Sequence, residues 1–476
     1  MNINPIYLCD FYKTSHNRMY PDGTELVFSN FTPRKSRMPR VNHSVFFGLQ
    51  YFIDKYLIES FDLDFFKAEI ASLTTACKYD RFILKTLGIA ATHPHIGKLH
   101  SLGYLPLAIY ALPELSVVPC GVPALVMYNT HPDFYWLPNM LETLLSCTLW
   151  QPCTSATIAR EYRILLDKYA AKTSDIPEMV DYQAHDFSFR GMSSVESACL
   201  SGMAHLQYFK GTDTIPALLF NQEYYGHPLH IASVPATEHS VASAYGKENE
   251  RTYVRRMLEL YPEGIISVVA DTWDLWSLLY GLEFDKDLIM KRNGKLVIRP
   301  DSGDPVEIIC GLNSFAEYYK DRVPPHCYKG VVEILWEIFG GTTNSKGYRQ
   351  LDPHIGVIYG DSITLERAAE ICKRLEAKGF ASTNIVFGIG SYTYQYNTRD
   401  TLGWAMKATY CEVNGEGRAI TKDPITDDGT KKSHSGILKV IQENYTYKVL
   451  QNQTWEQFHV DDNELKLVFK DGKIIT

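Results

Sequence analysis

Hydrophobic and polar positions follow a regular order in the second half of the chain, where four apolar runs each end in a short polar loop. The runs with their loops are 265–271, 296–304, 355–362 and 385–391. An apolar run of this length is typical of a parallel strand that is covered on both faces. Polar loops at the carboxyl ends of such strands are where α/β barrels build their sites. The pattern therefore predicts a barrel-like domain with a functional site at that face.

Helical periodicity is found between and before these runs. Apolar residues three and four positions apart predict a helix over 364–378. Asp361 or Ser362 is expected to cap its start, and Gly379 to end it. Two more helices are predicted, over 47–57 and 136–172.

The two ends of the chain differ from the middle because short β-like runs alternate with turns there. Examples near the start are 25–31, 44–47 and 115–118. The apolar stretch 105–128 contains four prolines and a glutamate, so strands and turns fit it better than a membrane helix. We predict an α/β fold in which 146–394 forms an irregular (β/α) barrel-like domain. A β-rich domain is built from both chain ends, 1–145 with 395–476.

Composition limits the classes of function. The chain has 476 residues, enough for two or three domains, and its formal net charge of −8 gives no basic field that would attract nucleic acid. The ten cysteines include no Cys-x-x-Cys pair, which argues against a zinc knuckle and favours a reducing compartment. The first residues lack the basic and apolar segments of a signal peptide. We therefore expect a cytoplasmic enzyme that binds neither nucleic acid nor a membrane.

Three of the loops carry candidate sugar and phosphate ligands. The loop 299–304, Arg-Pro-Asp-Ser-Gly-Asp, places Arg299 where it can bind a phosphate. Asp301 can accept hydrogen bonds from ribose hydroxyls or hold Mg²⁺ through water, although a Pro-Asp-Ser-Gly turn without function is the alternative. Glycine in Gly360-Asp361 and Gly390-Ser391 lets a phosphate approach backbone amides. Neither of these loops matches a P-loop or a dinucleotide fingerprint.

Aromatic, basic and imidazole side chains supply further candidates. Within 185–191, His-Asp-Phe-Ser-Phe-Arg-Gly, Phe187 can stack on a flat heteroaromatic ring, or Phe187 and Phe189 can both be buried in a core strand. His239 is a competent nucleophile near neutral pH, although most histidines are structural or exposed. Three basic residues follow the last loop: Arg399, Lys407 and Lys422. They can neutralise a diphosphate, or they can be solvated surface charges.

Together these motifs resemble the nicotinamide phosphoribosyltransferase family. The likeness covers nearly the whole chain and includes, in order, the motifs at 10–13, 48–51, 103–107, 185–191, 211–214, 238–240, 298–303, 360–361 and 398–400. The resemblance implies a homodimeric type II phosphoribosyltransferase with a barrel-like domain. It also implies active sites that are shared between the two subunits.

For the base, the resemblance implies a ring clamp and a hydrogen-bond acceptor. Phe187 of one subunit and Tyr12 of the other would sandwich a pyridine ring, and Arg190 would border it. Asp213 would accept a hydrogen bond from the carboxamide of nicotinamide. A carboxylate repels the carboxylate of nicotinate, so we expect nicotinamide to be preferred.

For the sugar and its phosphates, the resemblance implies catalytic roles for Arg299, Asp271 and Asp301, with the two aspartates near Mg²⁺. His239 would be phosphorylated by ATP, which would stimulate the reaction. The other substrate-binding positions would be Ser233, Ser267, Gly360, Asp361, Gly390 and Ser391, with Arg399, Lys407 and Lys422 from the partner subunit. The implied reaction joins nicotinamide to 5-phosphoribosyl-1-diphosphate (PRPP), giving nicotinamide mononucleotide and diphosphate in NAD salvage.

Some positions depart from the family pattern. Ser391 replaces the second glycine of a pair, and Ala405 replaces a serine near the phosphate-binding lysine. A further family lysine corresponds to Lys431 or Lys432. The alternatives are a nicotinate phosphoribosyltransferase, a non-catalytic binding protein on the same fold, and a hydrolase of polyphosphorylated sugars, which needs no ring-stacking pair.

Overall fold

The computed structural model describes residues 3–68, 82–83, 85–88, 94–226, 230–312, 324–422, 426 and 433–475. The chain forms two compact units. The β-rich unit comprises Met1–Thr157 with Asn397–Thr476, and the barrel unit comprises Ile158–Tyr396. The boundaries predicted above are 145 and 394. Within the described residues, no helix is both long enough and apolar enough to cross a membrane.

Strands occur in both units. In chain order they are β1 Thr24–Pro33, β2 His43–Val45, β3 Leu107–Ala111, β4 Val117–Pro119, β5 Leu125–Asn129, β6 Ala184–Asp186, β7 Gly211–Thr212, β8 Glu263–Val269, β9 Asn293–Arg299, β10 Gly341–Thr343, β11 Arg349–Leu351, β12 Ile355–Tyr359, β13 Ile385–Ile389, β14 Trp404–Val413, β15 Glu416–Ala419, β16 Ile437–Glu443, β17 Thr446–Gln453, β18 Lys466–Lys470 and β19 Lys473–Ile474. The prediction of strands and turns over 105–128 is confirmed, because β3, β4 and β5 occupy it.

The α-helices are Leu49–Phe52, Pro94–Leu102, Leu137–Thr173, Val180–Gln183, Val195–Leu206, Ile215–Tyr225, His239–Ala244, Glu250–Leu260, Leu275–Gly281, Lys286–Met290, Pro305–Cys310, Pro325–Phe339, Leu365–Ala377, Ser391–Tyr394 and Trp455–Phe458. The helix predicted over 47–57 is present as Leu49–Phe52 and continues as the π-helix Ile53–Ser60. The helix predicted over 136–172 is Leu137–Thr173.

One predicted helix cap is wrong. Thr364 caps the helix Leu365–Ala377, because its hydroxyl accepts a hydrogen bond from the Arg367 amide at 3.2 Å. Ser362 has a φ of +49°, outside the extended region that a capping residue adopts, and its hydroxyl donates to Asp361 Oδ2 at 3.0 Å. The predicted end is confirmed, since Gly379 follows the helix with a φ of +74°.

Both ends of the chain build one antiparallel sheet in the β-rich unit, with strand order β15-β14-β1-β5-β3-β18-β19. The long pairing of β1 with β14 places Phe31 opposite Met406. Phe31 also stacks on Trp404 at a ring-centroid distance of 4.4 Å, and both side chains are fully buried. The predicted β-rich part of the fold, built from both chain ends, is confirmed.

The barrel unit contains a parallel sheet of order β7-β6-β13-β12-β9-β8. The four apolar runs noted in the sequence are its consecutive strands β8, β9, β12 and β13, so that prediction is confirmed. Single bridges join Gly211 of β7 to Ala232 and Ser267 of β8 to Ala236. The irregular segment 232–237 thus connects the two outer strands and closes the sheet into a barrel, which confirms the predicted fold class.

Candidate active site

The carboxyl ends of the barrel strands bring the predicted loops to one edge. Because all six strands are parallel, the residues that follow them lie at the same end of the sheet. From one outer strand to the other, these residues are Asp213 after β7, Phe187 after β6, Gly390 and Ser391 after β13, Gly360 and Asp361 after β12, Asp301 after β9 and Asp271 after β8.

Asp271 fixes the neighbouring loop through one carboxylate oxygen. Its Oδ2 accepts hydrogen bonds from the amides of Asp301 at 2.9 Å and of Ser302 at 2.6 Å. Its Oδ1 is buried and has no hydrogen-bond partner in the described structure. A buried acceptor without a donor carries a desolvation cost, so this oxygen is suited to a ligand. Asp301 is more open, with 28% of its side chain exposed.

The edge is crowded with carboxylates. Gly360 lies against Asp301, because a Cβ at position 360 would overlap Asp301 Oδ1. Tyr359 is buried beneath, and its hydroxyl donates to the Gly303 carbonyl at 2.9 Å. Burial raises the pKa of the Tyr359 hydroxyl above its usual range, and the nearby carboxylates, Asp271 foremost, add to the effect. A cation placed here would relieve this concentration of negative charge.

The residues fit a magnesium ion that is shared with a phosphorylated substrate. Among the described residues, no group of three or more His, Cys, Asp or Glu is arranged to hold a metal by itself. Mg²⁺ is commonly held by one or two carboxylates together with substrate phosphates and water. Asp271, with its unpartnered oxygen, and Asp301 meet that requirement.

His239 faces the same two carboxylates from the irregular side of the barrel. Its Nε2 is 3.9 Å from Asp271 Oδ1 and 3.7 Å from Asp301 Oδ2. Its Nδ1 is 3.0 Å from Thr272 Oγ1. If Nδ1 donates its proton to Thr272, the Nε2 lone pair is left free at the surface, where 45% of the side chain is exposed.

Arg299 is oriented by a backbone carbonyl, and one of its N–H donors has no acceptor among the described residues. Its Nη2 donates to the Thr237 carbonyl at 2.9 Å. Its Nε is buried and has no hydrogen-bond partner. A buried guanidinium donor without an acceptor is suited to an anionic ligand.

Phe187 lies at the edge and not in the core. It is half-buried, and Phe189 is exposed, so the alternative in which both rings fill a core strand is wrong. The ring of Phe187 covers Gly388 of β13, where a Cβ would come within 2.6 Å of it. Arg190 follows on an exposed 3-10 turn. Part of the Phe187 side chain therefore remains exposed at this edge of the sheet.

Asp213 is oriented by two donors on one oxygen. His185 Nε2 lies 2.8 Å from its Oδ1, and the Ser233 hydroxyl donates to the same atom at 2.7 Å. Burial alone would raise the pKa of Asp213, but these hydrogen bonds and the charge of Arg299 lower it below the usual value. Asp213 is consequently ionised at neutral pH.

Two other predicted residues have clear positions. Ser391 lies directly on the backbone of Gly191, because a Cβ there would overlap Ser391 Oγ. Ser267 is buried on β8, where its amide donates to the Pro235 carbonyl at 2.9 Å and its carbonyl accepts from the Thr237 amide at 3.0 Å. Ser267 therefore helps to join the closing segment to the sheet.

Comparison with known proteins identifies the family. The sequence profile of the nicotinate phosphoribosyltransferase family matches residues 182–469, and that of the nicotinamide phosphoribosyltransferase N-terminal domain matches 4–62. The chain belongs to the nicotinate phosphoribosyltransferase family. The resemblance noted in the sequence is thereby confirmed.

Curated relatives in this family carry the name nicotinamide phosphoribosyltransferase. One from Acinetobacter baylyi is 49% identical and aligns over 99% of this chain and 94% of its own. Another from Mycoplasma pneumoniae is 36% identical over 91% of this chain and 95% of its own. A third, from Xanthomonas campestris, is 33% identical over 98% and 94% of the two chains.

Solved structures share the fold at low identity. The nicotinate-nucleotide pyrophosphorylase of Pyrococcus furiosus has a TM-score of 0.55 at 16% identity and covers 98% of this chain and 90% of its own. Human nicotinic acid phosphoribosyltransferase has a TM-score of 0.52 at 14% identity, with the same coverage. These likenesses establish the family fold.

The β-rich unit contributes a second group of predicted residues, which line one cavity of about 730 Å³. Arg399 and Lys407 are about half exposed, at 47% and 50%. Burial lowers the pKa of Lys407; the charge of Glu142 opposes this effect, and the neighbouring positive charges add to it. The basic lining residues are Arg34, Lys35, Arg37, Arg399, Lys407, Lys422 and His434. Arg399, Lys407 and Lys422 thus line one cavity, where all three side chains remain exposed to solvent, and Lys431 and Lys432 lie outside the described residues.

Several residues at these sites were not found from the sequence. Arg34, Lys35 and Arg37 form a short basic run, and that run is the signal that could have indicated them. His185 belongs to the motif 185–191, but its contact with Asp213 depends on the pairing of β6 with β7.

Tyr12, the other predicted residue of the ring clamp, is 56% exposed on the 3-10 helix Phe11–Arg18 of the β-rich unit.

Proposed function

We propose that the protein transfers the phosphoribosyl group of PRPP to nicotinamide, giving nicotinamide mononucleotide and diphosphate in NAD salvage. The observation that carries the choice of base is the Asp213 carboxylate, which is ionised and fixed beside Phe187. Its Oδ1 is occupied by His185 and Ser233, so Oδ2 is left to accept a hydrogen bond from an amide NH₂. The relatives' name supports the same activity.

The pyridine ring stacks on Phe187, and its nitrogen attacks C1 of the ribose as diphosphate leaves. The ring and Asp213 hold the nucleophile at a fixed angle, which supplies part of the rate by orientation. Positive charge grows on the sugar during this step, and the carboxylates of Asp271 and Asp301 stabilise it. Arg190 and Arg299 stabilise the negative charge of the diphosphate.

The loops after β12 and β13 hold the 5-phosphate of the sugar. Gly360 and Gly390 permit close approach to backbone amides, and the Ser391 hydroxyl adds a donor. Asp361 lines the same pocket. When bound, Mg²⁺ neutralises charge on the diphosphate, and Asp271 with Asp301 would hold it.

We propose that the active enzyme is a homodimer in which each site uses both subunits. More than half of the Tyr12 side chain is exposed. Such exposure is required of a ring that stacks on a base held by another subunit. The basic cavity gathers Arg399, Lys407 and Lys422, which matches the charge of a diphosphate. In the dimer these residues serve the partner's barrel.

We further propose that ATP stimulates the reaction by phosphorylating His239. The N–P bond forms at Nε2 while the bond between the γ-phosphorus and the bridging oxygen breaks and ADP leaves. This step uses the tautomer in which Nδ1 donates its proton to Thr272, because that tautomer leaves the Nε2 lone pair free. Proximity to Asp271 and Asp301 places the phosphoryl group next to the proposed magnesium site.

The test is a product assay with nicotinamide, nicotinate or no base, each with and without ATP. Mononucleotide and diphosphate should form together, fastest with nicotinamide, and ATP should increase the yield. Preference for nicotinate would favour the nicotinate phosphoribosyltransferase alternative. Diphosphate release without any base would indicate a hydrolase, and no turnover at all would indicate a binding protein.

A further inference from the structure

Tyr359 is a buried polar residue at the candidate site to which the proposed reaction gives no role. It is the last residue of β12, directly before Gly360, and its side chain is fully buried. Its hydroxyl donates a hydrogen bond to the Gly303 carbonyl at 2.9 Å. That carbonyl belongs to the loop after β9, which also carries Asp301. A side chain of one strand therefore holds the loop of its neighbour.

The end of β12 binds this loop at two points, one on each side of Asp301. The Gly360 amide donates to the Pro300 carbonyl at 3.4 Å, one residue before Asp301. The Tyr359 hydroxyl binds the Gly303 carbonyl, two residues after it. Gly303 has a φ of +93°, so the turn passes through a residue with unusual conformational freedom. The hydroxyl restricts the loop at this residue.

The side of the loop that faces β8 is held by a proposed ligand group. Asp271 Oδ2 accepts hydrogen bonds from the amides of Asp301 and Ser302, at 2.9 and 2.6 Å. Any movement of the loop is therefore transmitted to Asp271 as well as to Asp301. The hydrogen bond from Tyr359 is independent of the ligand groups, because it uses neither of these carboxylates.

The Tyr359 hydroxyl is a proton donor surrounded by negative charge. Burial raises its pKa above the usual range, and four carboxylates raise it further: Asp271, Asp361, Asp301 and Asp304. The hydroxyl therefore keeps its proton at neutral pH. Among the described residues, that proton is donated to the Gly303 carbonyl, and no hydrogen bond joins the hydroxyl to a carboxylate. The carboxylate oxygens are thus not occupied by this donor.

We propose that Tyr359 is a positioning residue for PRPP, because its hydroxyl fixes the turn after β9 and thereby holds Asp301 beside Asp271. This inference rests on the proposed function, in which these two carboxylates serve the sugar and its diphosphate. Without the hydroxyl, the substrate must order the loop when it binds, which costs affinity. The proposed base contacts follow β6 and β7, which do not pair with β9, so binding of the base should change little.

The kinetic experiment compares the full-length wild type with Tyr359→Phe, which removes one oxygen atom and keeps the ring. KM for PRPP should rise about three- to tenfold, as expected for one hydrogen bond. KM for nicotinamide at saturating PRPP should change by less than about twofold. Calorimetric titration with PRPP and Mg²⁺ in the absence of any base should show the same loss of affinity for PRPP.

Hydrogen exchange measures the state of the loop without any ligand. The amides of Asp301 and Ser302 should exchange about three- to tenfold faster in Tyr359→Phe, because their bonds to Asp271 open more often once the turn is released. The amides within β9 should keep their wild-type rates. This measurement tests the proposed hold even if the variant is less stable overall.

Tyr447→Phe is the matched control. Its hydroxyl also bonds a residue distant in the chain, Ser116 Oγ at 3.3 Å, but both residues lie in the β-rich unit. This control should keep the wild-type affinity for PRPP and the wild-type exchange at the loop.

Unchanged PRPP affinity in Tyr359→Phe, or unchanged exchange of the two loop amides, would overturn the inference. An equal rise in KM for PRPP and for nicotinamide would also overturn it, because a general structural defect would then explain the loss. If the wild type binds PRPP but makes no mononucleotide, the proposed function fails instead, and the affinity and exchange data still decide the role of Tyr359.

Discussion

The substitution Asp213→Asn tests the origin of base specificity most directly, because it removes one charge and almost no volume. His185 and Ser233 both donate to Oδ1, so an asparagine would turn its carbonyl towards them and its NH₂ towards the base. That NH₂ faces a donor on nicotinamide but an acceptor on nicotinate. We expect nicotinamide to lose kcat/KM and nicotinate to gain it.

The size of the change follows from the exposure of the carboxylate. Two like charges about 4 Å apart repel by roughly 1 kcal/mol in water and about 4 kcal/mol at an effective dielectric constant of 20. Asp213 is 44% exposed, so it lies between these limits. A repulsion of about 2–3 kcal/mol corresponds to roughly a hundredfold gain for nicotinate. Loss of the amide hydrogen bond should cost nicotinamide about 1–3 kcal/mol.

The assay is steady-state kinetics with each base at saturating PRPP, reported as the ratio of the two kcat/KM values. Asp352→Asn is the control, because Asp352 also bonds a histidine but lies before β12, away from the candidate site. This control should leave the ratio unchanged. An unaltered ratio in Asp213→Asn, with the protein folded, would refute the assignment of specificity to this carboxylate.

Three further predictions address the other proposed parts of the site. Incubation with γ-labelled ATP should label the wild type and not His239→Ala, and label retained by the variant would place the phosphoryl group elsewhere. Gly191→Ala should raise KM for PRPP at least about tenfold by displacing Ser391, and Ser391→Gly should restore it in the double variant; without rescue, the steric explanation fails. The Phe187→Ala and Lys407→Ala dimers should each be inactive, but a mixture that exchanges subunits should regain up to about a quarter of wild-type activity, because each heterodimer has one intact site. No recovery would argue against shared sites.

The parts of the barrel that could be predicted from the sequence are the strands whose hydrophobic pattern is visible within a short segment of the chain. Each of β8, β9, β12 and β13 is an unbroken apolar run, and such runs are visible without any knowledge of their neighbours. By contrast, β7 is only two residues long, and the closing segment 232–237 has no apolar pattern. Its backbone is satisfied by single bridges and side chains, which leave no periodic trace in the sequence.

The same distinction holds for the candidate sites. Asp271, Asp301 and Asp361 directly follow apolar runs, so their common edge could be inferred from the chain alone. The approach of Arg34 to Lys407 depends on the pairing of β1 with β14, which joins residues from opposite ends of the chain. Which carboxylate oxygen remains free on Asp213 is likewise a property of three-dimensional packing.

The irregular closing segment explains why specificity and chemistry meet at this point of the barrel. The backbone of a regular strand would form hydrogen bonds with both neighbouring strands. In this segment a side chain takes over one of these bonds, since Thr237 Oγ1 accepts a hydrogen bond from the Val269 amide at 3.0 Å. Its carbonyl is thereby left to orient Arg299. Four residues earlier, the exposed Ser233 is free to bind Asp213. One imperfect strand thus supports both the guanidinium proposed for diphosphate and the carboxylate proposed for the base.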